Sequence, residues 1–584
     1  MTAKALPSPF DGPPGAARPS SRLVEILLLL LFCVPYVVGL AEPPLWDANE
    51  PLYAEPPKEA LETGDWLAPP WNGRPWFVHP PLSAWLTMPS YALFGVTPFA
   101  ERLPMAIAAI LTILATCAIG RAVAGRRGGI VAAAVLATTA RYWLFSRQLA
   151  GDVYLTAFLT GAFALTLPAL SSGGVKGRGR LLLAYALVGV GTLAKGPVIG
   201  VLFLAPYLLA ARFSRPRVPL RALRPVAFTL IVLALAAPWF VYMGVRFGRE
   251  WFDVYVGHQT GRRIISDDLG GRGRGPWFYL LALLGEGQPW ILFVPFAIRR
   301  AIKRGERDPV RLLAWFAAAF PLVLFSIPVG KRNVYLLPLY PAMAAALAPL
   351  FLEAWDGLHE RLARASAALL AVAAAGSSTL LVIGAGHVPA DIAAGSRVYL
   401  VICVVALVAA IAAAFARFRI ARGRVVVALT IGFVWLLVLA SGLLLPTLGR
   451  FMPVPQLART LIAHAGRDDP VLVYRTSIHS LMFYADRRTS TVQDPAQLLD
   501  FVPEGKRAFV LGADERVAEI GLLPNWVVTE LGRAPYFKFN FDRNIRGLGP
   551  SALDLVLLEV RRATADERRA REASGGGARS PGSK

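Results

Sequence analysis

Charge is scarce in this 584-residue chain: 17% of its residues are Asp, Glu, Lys or Arg, where a soluble domain carries roughly a quarter. Cysteine is scarcer still. Cys33, Cys117 and Cys403 all lie inside apolar runs, so neither a disulfide framework nor a CxxC metal pattern is present. Amphipathic stripes are also missing where a large soluble helical core would need them: Val425–Ala440 is apolar almost all round. No internal repeat of the inverted-transporter kind is visible. Acids number 38 against 61 basic residues, which leaves a net charge of +23.

What the chain has instead is apolar blocks near the ~20 residues that cross a bilayer. They include Leu23–Leu40, Val226–Val245, Val398–Phe415 and Val425–Leu445, in a chain of mean hydropathy +0.51. The first block is longer than a signal-peptide core and follows a long leader, so it reads as a retained helix. Residues 1–22, rich in Pro, Gly, Ser and Ala, read as a disordered cytoplasmic tail.

The positions of the basic residues give the spans a direction. Clusters at Arg121–Arg127, Lys176–Arg180, Arg212–Arg224, Arg299–Arg311 and Arg417–Arg424 alternate with loops richer in acids and aromatics, at Ala41–Glu101, Arg246–Gly275 and Gly330–Asn333. The positive-inside rule makes the first set cytoplasmic. Topology thus accounts for the basic charge without nucleic acid. The alternation predicts an all-α polytopic membrane protein of about thirteen spans, at 23–41, 102–120, 128–146, 153–171, 181–195, 198–213, 226–245, 276–298, 310–328, 334–353, 367–386, 398–416 and 425–445. The two short spans flanking Lys195 read equally as one re-entrant hairpin. The membrane domain covers 23–447, with extracytoplasmic loops at 42–101 and 246–275. Short strands at Pro470–Arg475, Arg507–Leu511 and Leu553–Val560, with helices at Ser477–Ala485 and Pro495–Phe501, predict a small soluble α/β domain over 448–561. A disordered tail at 562–584 follows.

Chemistry is expected in the outward loops. Asp47 and Glu50 follow closely on the first span, at the level of a lipid headgroup. A carboxylate there either accepts a proton from an acceptor hydroxyl or holds a divalent cation, or is simply a solvated loop acid. Pro56-Pro57 reads as the start of a helix at Lys58–Thr63, closed by Gly64, with Glu59 and Glu62 on its solvated face. His79, among Trp71, Trp76 and Phe77, is a phosphate donor, a metal ligand or structural. Asp152 opens a span and is either a site residue or an N-cap. Lys195 interrupts an apolar stretch, where it binds an anionic headgroup or snorkels. His258, Arg262 and Arg263, and the pair Lys331-Arg332, are cations on the outer face. That placement runs against the positive-inside tendency and asks for anionic partners such as phosphate. With the acids of the first loop, they describe an outward pocket for a phosphorylated lipid.

The string WDANEPLYAEPPKEALETGDW, followed by NGRPWFVHPPLSAW, FAERLP, SRQLAGD, TLAKGP, PWF…GHQTGRR, GPWFYL…QPW and GKRNVYLLPLYP, resembles bacterial family 39/83 membrane glycosyltransferases across residues 23–350. That group includes aminoarabinose lipid A transferases and protein O-mannosyltransferases. The resemblance implies a GT-C fold and transfer of a sugar from a polyprenyl phosphate to a lipid, glycan or protein acceptor at the periplasmic face, usually with inversion. The family pattern pairs Asp with Glu before Arg-Tyr-Ala; here Glu50 and Tyr53 match, but Asn49 and Leu52 stand at the Asp and Arg positions. Asp47, Glu50 and Asp152 are then the candidate catalytic acids. Phe77-Val78-His79-Pro80 stands where the family has Phe-Glu-Lys-Pro, so His79 replaces a phosphate-binding Lys and a metal site using that Glu is not supported. Asp152, Lys195, His258, Lys331 and Tyr335 occupy motif positions. The resemblance assigns Tyr53, His79, Lys195, His258, Arg262, Arg263, Lys331, Arg332 and Tyr335 to substrate binding, and leaves a metal requirement open. A lipid-linked sugar flippase and a degenerate transferase are the competing readings.

Overall fold

The computed structural model describes residues 19–355, 432–537, 552–564 and 567, with interruptions at 48, 149, 174–175, 263–274, 276 and 524–525. The expected spans 367–386 and 398–416, and almost all of both tails, lie outside the described residues. Among the described residues, five helices have the length and composition to cross a bilayer, or six when one bent pair is counted as a span.

Helix α1 (Pro19–Val37) begins four residues earlier than its apolar run. Arg147 closes its other end, donating to the carbonyls of Pro35 at 3.2 Å, Val38 at 2.9 Å and Gly39 at 2.5 Å. Gly39 is left-handed (φ 65°), and a β-carbon there would press into the Ser441 carbonyl, so only glycine fits. The first long loop folds as α2 (Pro51–Thr63), the short strands β1 (Pro70–Trp71) and β2 (Arg74–Pro75), and α3 (Leu82–Phe94). Two sequence expectations fail here. Helix α2 runs through Pro56-Pro57 rather than starting after them, because its first turn begins at Pro51. Glu59 is buried rather than solvated, since it accepts the backbone N–H groups of Asn72 (2.5 Å) and Gly73 (2.8 Å) at the turn between β1 and β2. Both turn residues are left-handed, as a two-residue Asn-Gly hairpin requires.

Spans 102–120 and 128–146 appear as the two arms of α4 (Pro98–Ala137), which breaks at Ala124-Gly125, with α5 (Ala140–Phe145) extending the second arm. The arms meet through glycine. A β-carbon at Gly120 would lie 2.7 Å from the Gly128 carbonyl oxygen, and one at Gly129 equally close to that of Cys117. Lipid tails are as apolar as leucine, so helix association in a membrane rests on such close approach of small residues. Helix α6 (Ala150–Ser171) follows, then α7 (Arg178–Lys195) and α8 (Val198–Phe213), separate helices joined at Gly196-Pro197. Helix α9 (Pro225–Phe252) kinks at Gly248 and continues as wider helical turns over Asp253–Arg262. The expected open loop from Arg246 is therefore helical for most of its length.

The expected straight span 276–298 is broken. Gly287 and Pro289 end α10 (Phe278–Glu286), and the next segment, Trp290–Lys303, leaves at 111°. Its last ten residues form α11 (Val294–Lys303). Helix α12 (Pro309–Ser326) and helix α13 (Leu339–Trp355) complete this part, and α13, whose Ala344, Ala345 and Ala348 are fully buried, packs against α4. After Gly432–Gly449, a soluble domain opens with α14 (Val454–His464).

That domain is a five-stranded mixed sheet of order β4-β3-β5-β7-β6, formed by β3 (Val471–Tyr474), β4 (Ser490–Val492), β5 (Arg507–Ala513), β6 (Trp526–Phe537) and β7 (Ala552–Arg562). β3 pairs in parallel with β4 and β5, whereas β7 is antiparallel to β5 and β6. Both faces are buried. Val471, Val473, Phe509 and Leu511 pack on one side, and Leu472, Tyr474, Ala508 and Val510 on the other. Sequence periodicity finds β3, β5 and β7 and misses β4 and β6.

Candidate active site

Asp152 and Lys195 form the centre of the polar cluster. Asp152 sits in the first turn of α6 and Lys195 in the last turn of α7; each end favours the charge placed there. The lysine ammonium is bonded to the carboxylate and lies 4.9 Å from the centre of the Tyr335 ring. Asp152 is 4% exposed. An unpaired carboxylate at this depth would be costly, and the lysine makes it tolerable.

Tyr53 reaches the same place from α2. A β-carbon on Gly151, next to Asp152, would come within 3.3 Å of the Tyr53 hydroxyl. That hydroxyl is hydrogen bonded to His79 Nε2 at 3.2 Å, and the two rings stack 5.5 Å apart with Trp76 edge-on to both. Tyr255 approaches from the other side, its hydroxyl 2.6 Å from where a Gly196 β-carbon would sit. The turns Asp253–Arg262, which carry His258 and Arg262, thus run beside the Lys195 corner. The side chains of His258 and Arg262, and all of Arg263, lie outside the described residues.

Lys331 and Arg332 occupy the segment just before Tyr335. Lys331 is buried and donates to the Pro328 carbonyl at 2.6 Å. Arg332 is exposed and donates to the side-chain oxygen of Asn49 at 3.0 Å. Its backbone is held by Tyr279, whose hydroxyl lies 3.1 Å from the Arg332 carbonyl and 3.2 Å from its N–H. The next residue, Asn333, is bonded to the buried carboxylate of Glu286, which Arg141 also holds. Sequence reading missed Glu286 and Arg141. The signal was available, since each is a lone charge next to an apolar run and close to a quoted motif.

Glu50 and Asp47 are both buried, which removes the solvated-loop reading of these two acids. Glu50 is fully buried. Arg102 clamps it at both oxygens, Nε to Oε1 and Nη2 to Oε2 at 2.8 Å each, and the Trp46 N–H adds a third bond at 2.7 Å. Arg102 also donates to the carbonyls of Leu40 (3.0 Å) and Pro43 (2.8 Å), so the pair ties the first loop to the start of α4. Asp47 faces the soluble domain. It accepts the Ser480 N–H at 2.8 Å and lies 3.5 Å from the Tyr536 hydroxyl, whose ionisation burial and then the Asp47 charge suppress.

The same contact surface continues along the first loop. The Leu45 N–H donates to the Tyr484 hydroxyl at 2.8 Å, and Asn72 exchanges two hydrogen bonds with the Thr489 backbone at 2.7 and 3.1 Å. Lys58 bridges Glu55 (3.2 Å) and Asp486 (2.5 Å). Burial lifts the Glu55 carboxyl to about 6, although Lys58 opposes the shift. Among the described residues, no three His, Cys, Asp or Glu side chains group as metal ligands.

Residues 78–242 match the family model described as dolichyl-phosphate-mannose-protein mannosyltransferase. Curated relatives include the undecaprenyl phosphate-alpha-4-amino-4-deoxy-L-arabinose arabinosyl transferases of Aeromonas hydrophila and Pseudomonas aeruginosa. Each is 30% identical, over 336 residues (56% of this chain, 59% of the relative) and 351 residues (59% and 61%) respectively. The match therefore spans about three fifths of these relatives' length. Among solved structures, ArnT from Cupriavidus metallidurans bound to undecaprenyl phosphate superposes with a TM-score of 0.74 at 21% identity, covering 93% of this chain and 98% of that one. That likeness extends over the membrane helices and the C-terminal sheet domain alike.

Proposed function

We propose that this chain is a multi-pass membrane glycosyltransferase of the GT-C superfamily, and that it transfers a sugar from a polyprenyl-phosphate donor to a lipid, glycan or protein acceptor. The reaction takes place at the periplasmic face of the bacterial inner membrane, with inversion at the anomeric carbon. Two independent likenesses support a prenyl-phosphate donor: the family model is described by a dolichyl-phosphate sugar, and the curated relatives by an undecaprenyl-phosphate sugar. The curated relatives favour a pentosyl donor, 4-amino-4-deoxy-L-arabinose, as the first to test.

The observation that carries the reading is the convergence of Asp152, Lys195, Tyr335, Tyr53 and His79 from five separate segments. In an inverting displacement the acceptor oxygen attacks the anomeric carbon, while the carbon–oxygen bond to phosphate breaks and the prenyl phosphate leaves with the electron pair. The protein must then supply positive charge at the departing phosphate, and a carboxylate at the incoming oxygen removes the proton of a hydroxyl acceptor or, for a phosphate-oxygen acceptor that needs no base, serves only to position it. Lys195 and His79 bring cationic or hydrogen-bonding groups to this place, Lys331 and Arg332 precede Tyr335 in the chain, and His258 and Arg262 belong to the turns that run on from α9. Asp152 is assigned to the acceptor because Lys195 takes only its Oδ1, whereas Arg102 and the Trp46 N–H take both oxygens of Glu50, and Ser480 and Tyr536 take both of Asp47. A divalent cation is not needed for this assignment; addition of a chelator during the assay tests for one.

The test uses the full chain in proteoliposomes, with synthetic pentosyl or hexosyl polyprenyl phosphate as donor and lipid A, glycan or envelope protein as acceptor. Wild-type protein is expected to release prenyl phosphate in step with acceptor glycosylation. Asp152→Asn and Lys195→Ala are expected to lose transfer by 100-fold or more. Wild-type rates in Asp152→Asn would overturn the assignment of the carboxylate; translocation of intact donor without transfer would favour a flippase.

A further inference from the structure

We propose that α11 and the chain around Arg215 form a binding site for an anionic phospholipid headgroup, at the end of the bundle that carries the basic loops. The 111° turn after α10 sets α11 steeply against it. Its residues then divide by helical position. Ala297 is buried against the protein, and Arg300 turns inward to bond Glu353 through Nε at 2.8 Å and Nη2 at 2.6 Å. Ile298 and Ile302, one turn apart, are 42% and 74% exposed. Arg299 and Lys303, also one turn apart on the neighbouring stripe, are exposed too. Apolar and cationic stripes side by side on one short helix suit the boundary between acyl chains and headgroups.

The acids of this corner are already engaged. Glu353 holds Arg300 and Arg304, Glu306 holds Arg311 at 2.6 Å, and Asp308 caps α12 through the N–H groups of Val310 and Arg311. Arg299, Lys303 and Arg307 have no ion-pair partner among the described residues. The Arg215 N–H donates to the Arg307 carbonyl at 2.9 Å, which fixes a further exposed arginine beside them. Four uncompensated cations on one rigid corner, with exposed isoleucines alongside, complement a phosphate headgroup whose tails remain in the bilayer. A basic residue close to an anionic leaflet is attracted to it, so four acting together select anionic over zwitterionic lipid. This site does not depend on the transfer reaction.

The experiment extracts the full chain from vesicles of equal phosphatidylglycerol and phosphatidylcholine, washes it in neutral detergent, and identifies the retained lipid by native mass spectrometry. Wild-type protein is expected to retain phosphatidylglycerol over phosphatidylcholine by fivefold or more. The variant Arg299→Gln/Lys303→Gln/Arg307→Gln is expected to lose that preference. Two comparisons separate the site from charge in general and from misfolding. Lys176→Gln/Arg178→Gln/Arg180→Gln, in another basic loop, should retain it, and so should the charge-preserving Arg299→Lys/Arg307→Lys. Equal retention of the two lipids by wild-type protein would overturn the proposal, as would equal loss in both glutamine triples. Displacement of the lipid by millimolar inorganic phosphate would also overturn it.

Discussion

Arg332 donates to Asn49 across 283 residues of sequence, joining the segment before Tyr335 to the first outward loop. The joint falls on the position where the resembling family carries an acid. A neutral amide holds the guanidinium in place without cancelling its charge, so Arg332 stays available to an anion.

Removing the charge should therefore matter more than removing its holder. Arg332→Ala is expected to raise the KM for prenyl-phosphate donor about tenfold, of the order of one charge-assisted hydrogen bond. Asn49→Ala is expected to cost less than threefold, because it loosens the arginine without deleting it. Steady-state assays over a range of donor concentrations check this; equal effects would place the role in the joint itself.

The three candidate acids should separate by phenotype. Asp152→Asn is expected to abolish transfer in a protein that folds and extracts normally. Asp47→Asn is expected to keep transfer within a few-fold while exposing the linker near Arg450 to protease, since the amide accepts the Ser480 N–H less strongly. Transfer assays and limited proteolysis on the same preparations decide between them.

Glu50→Gln is a stability variant. It leaves the Arg102 guanidinium, 1% exposed, without its counter-charge, and breaking a buried pair costs about 3–5 kcal/mol. A large drop in thermal unfolding midpoint and yield is expected, and Glu50→Gln/Arg102→Met should recover part of it. If the single variant instead kept its midpoint and lost only transfer, Glu50 would belong to the chemistry.

Glu55 gives the contact with the soluble domain a pH dependence. Its carboxyl titrates at about 6 in the fold and near its ordinary 4.5 when unfolded, so the folded state binds the proton more tightly. The stabilisation is complete below pH 4.5 and is lost as pH rises through 6, a span worth about 2 kcal/mol. Thermal unfolding at pH 4.5, 6 and 7.5 should show this trend, and Glu55→Gln should remove that part of it.

Gly39→Ala tests the crossing of α1 with the last described span. A left-handed residue pressed onto the Ser441 carbonyl has no room for a methyl group. A destabilisation of about 2 kcal/mol or more is expected, read as a lower unfolding midpoint in detergent.

Much of this architecture is legible in the sequence, because hydrophobic blocks and basic loops are local signals. The arms of α4 follow from two apolar runs separated by Arg121–Arg127, and strands β3, β5 and β7 follow from apolar runs of strand length. β4 is three residues long and β6 carries Thr529, Glu530 and Arg533, so neither announces itself. The bend after Glu286 falls in the short polar break Glu286-Gly287-Gln288-Pro289 between two apolar runs, which reads equally as a straight span with a polar patch.

The polar cluster was legible at Asp152 and Lys195, where a lone charge interrupts an apolar helix. It was not legible at Asp47 and Glu50, because their partners stand 433 and 52 residues away. Sequence spacing shows that a carboxylate is near a membrane surface. It does not show which distant donor has already taken it.

The hold of Ser480 and Tyr536 on Asp47 makes two distant stretches of chain a single unit of inheritance. A chimera that kept this first loop and took its soluble domain from a relative would bury Asp47 against a surface with no donor waiting for it. Exchange of the soluble domain between such proteins should then succeed only when the segment from Leu45 to Asn72 travels with it.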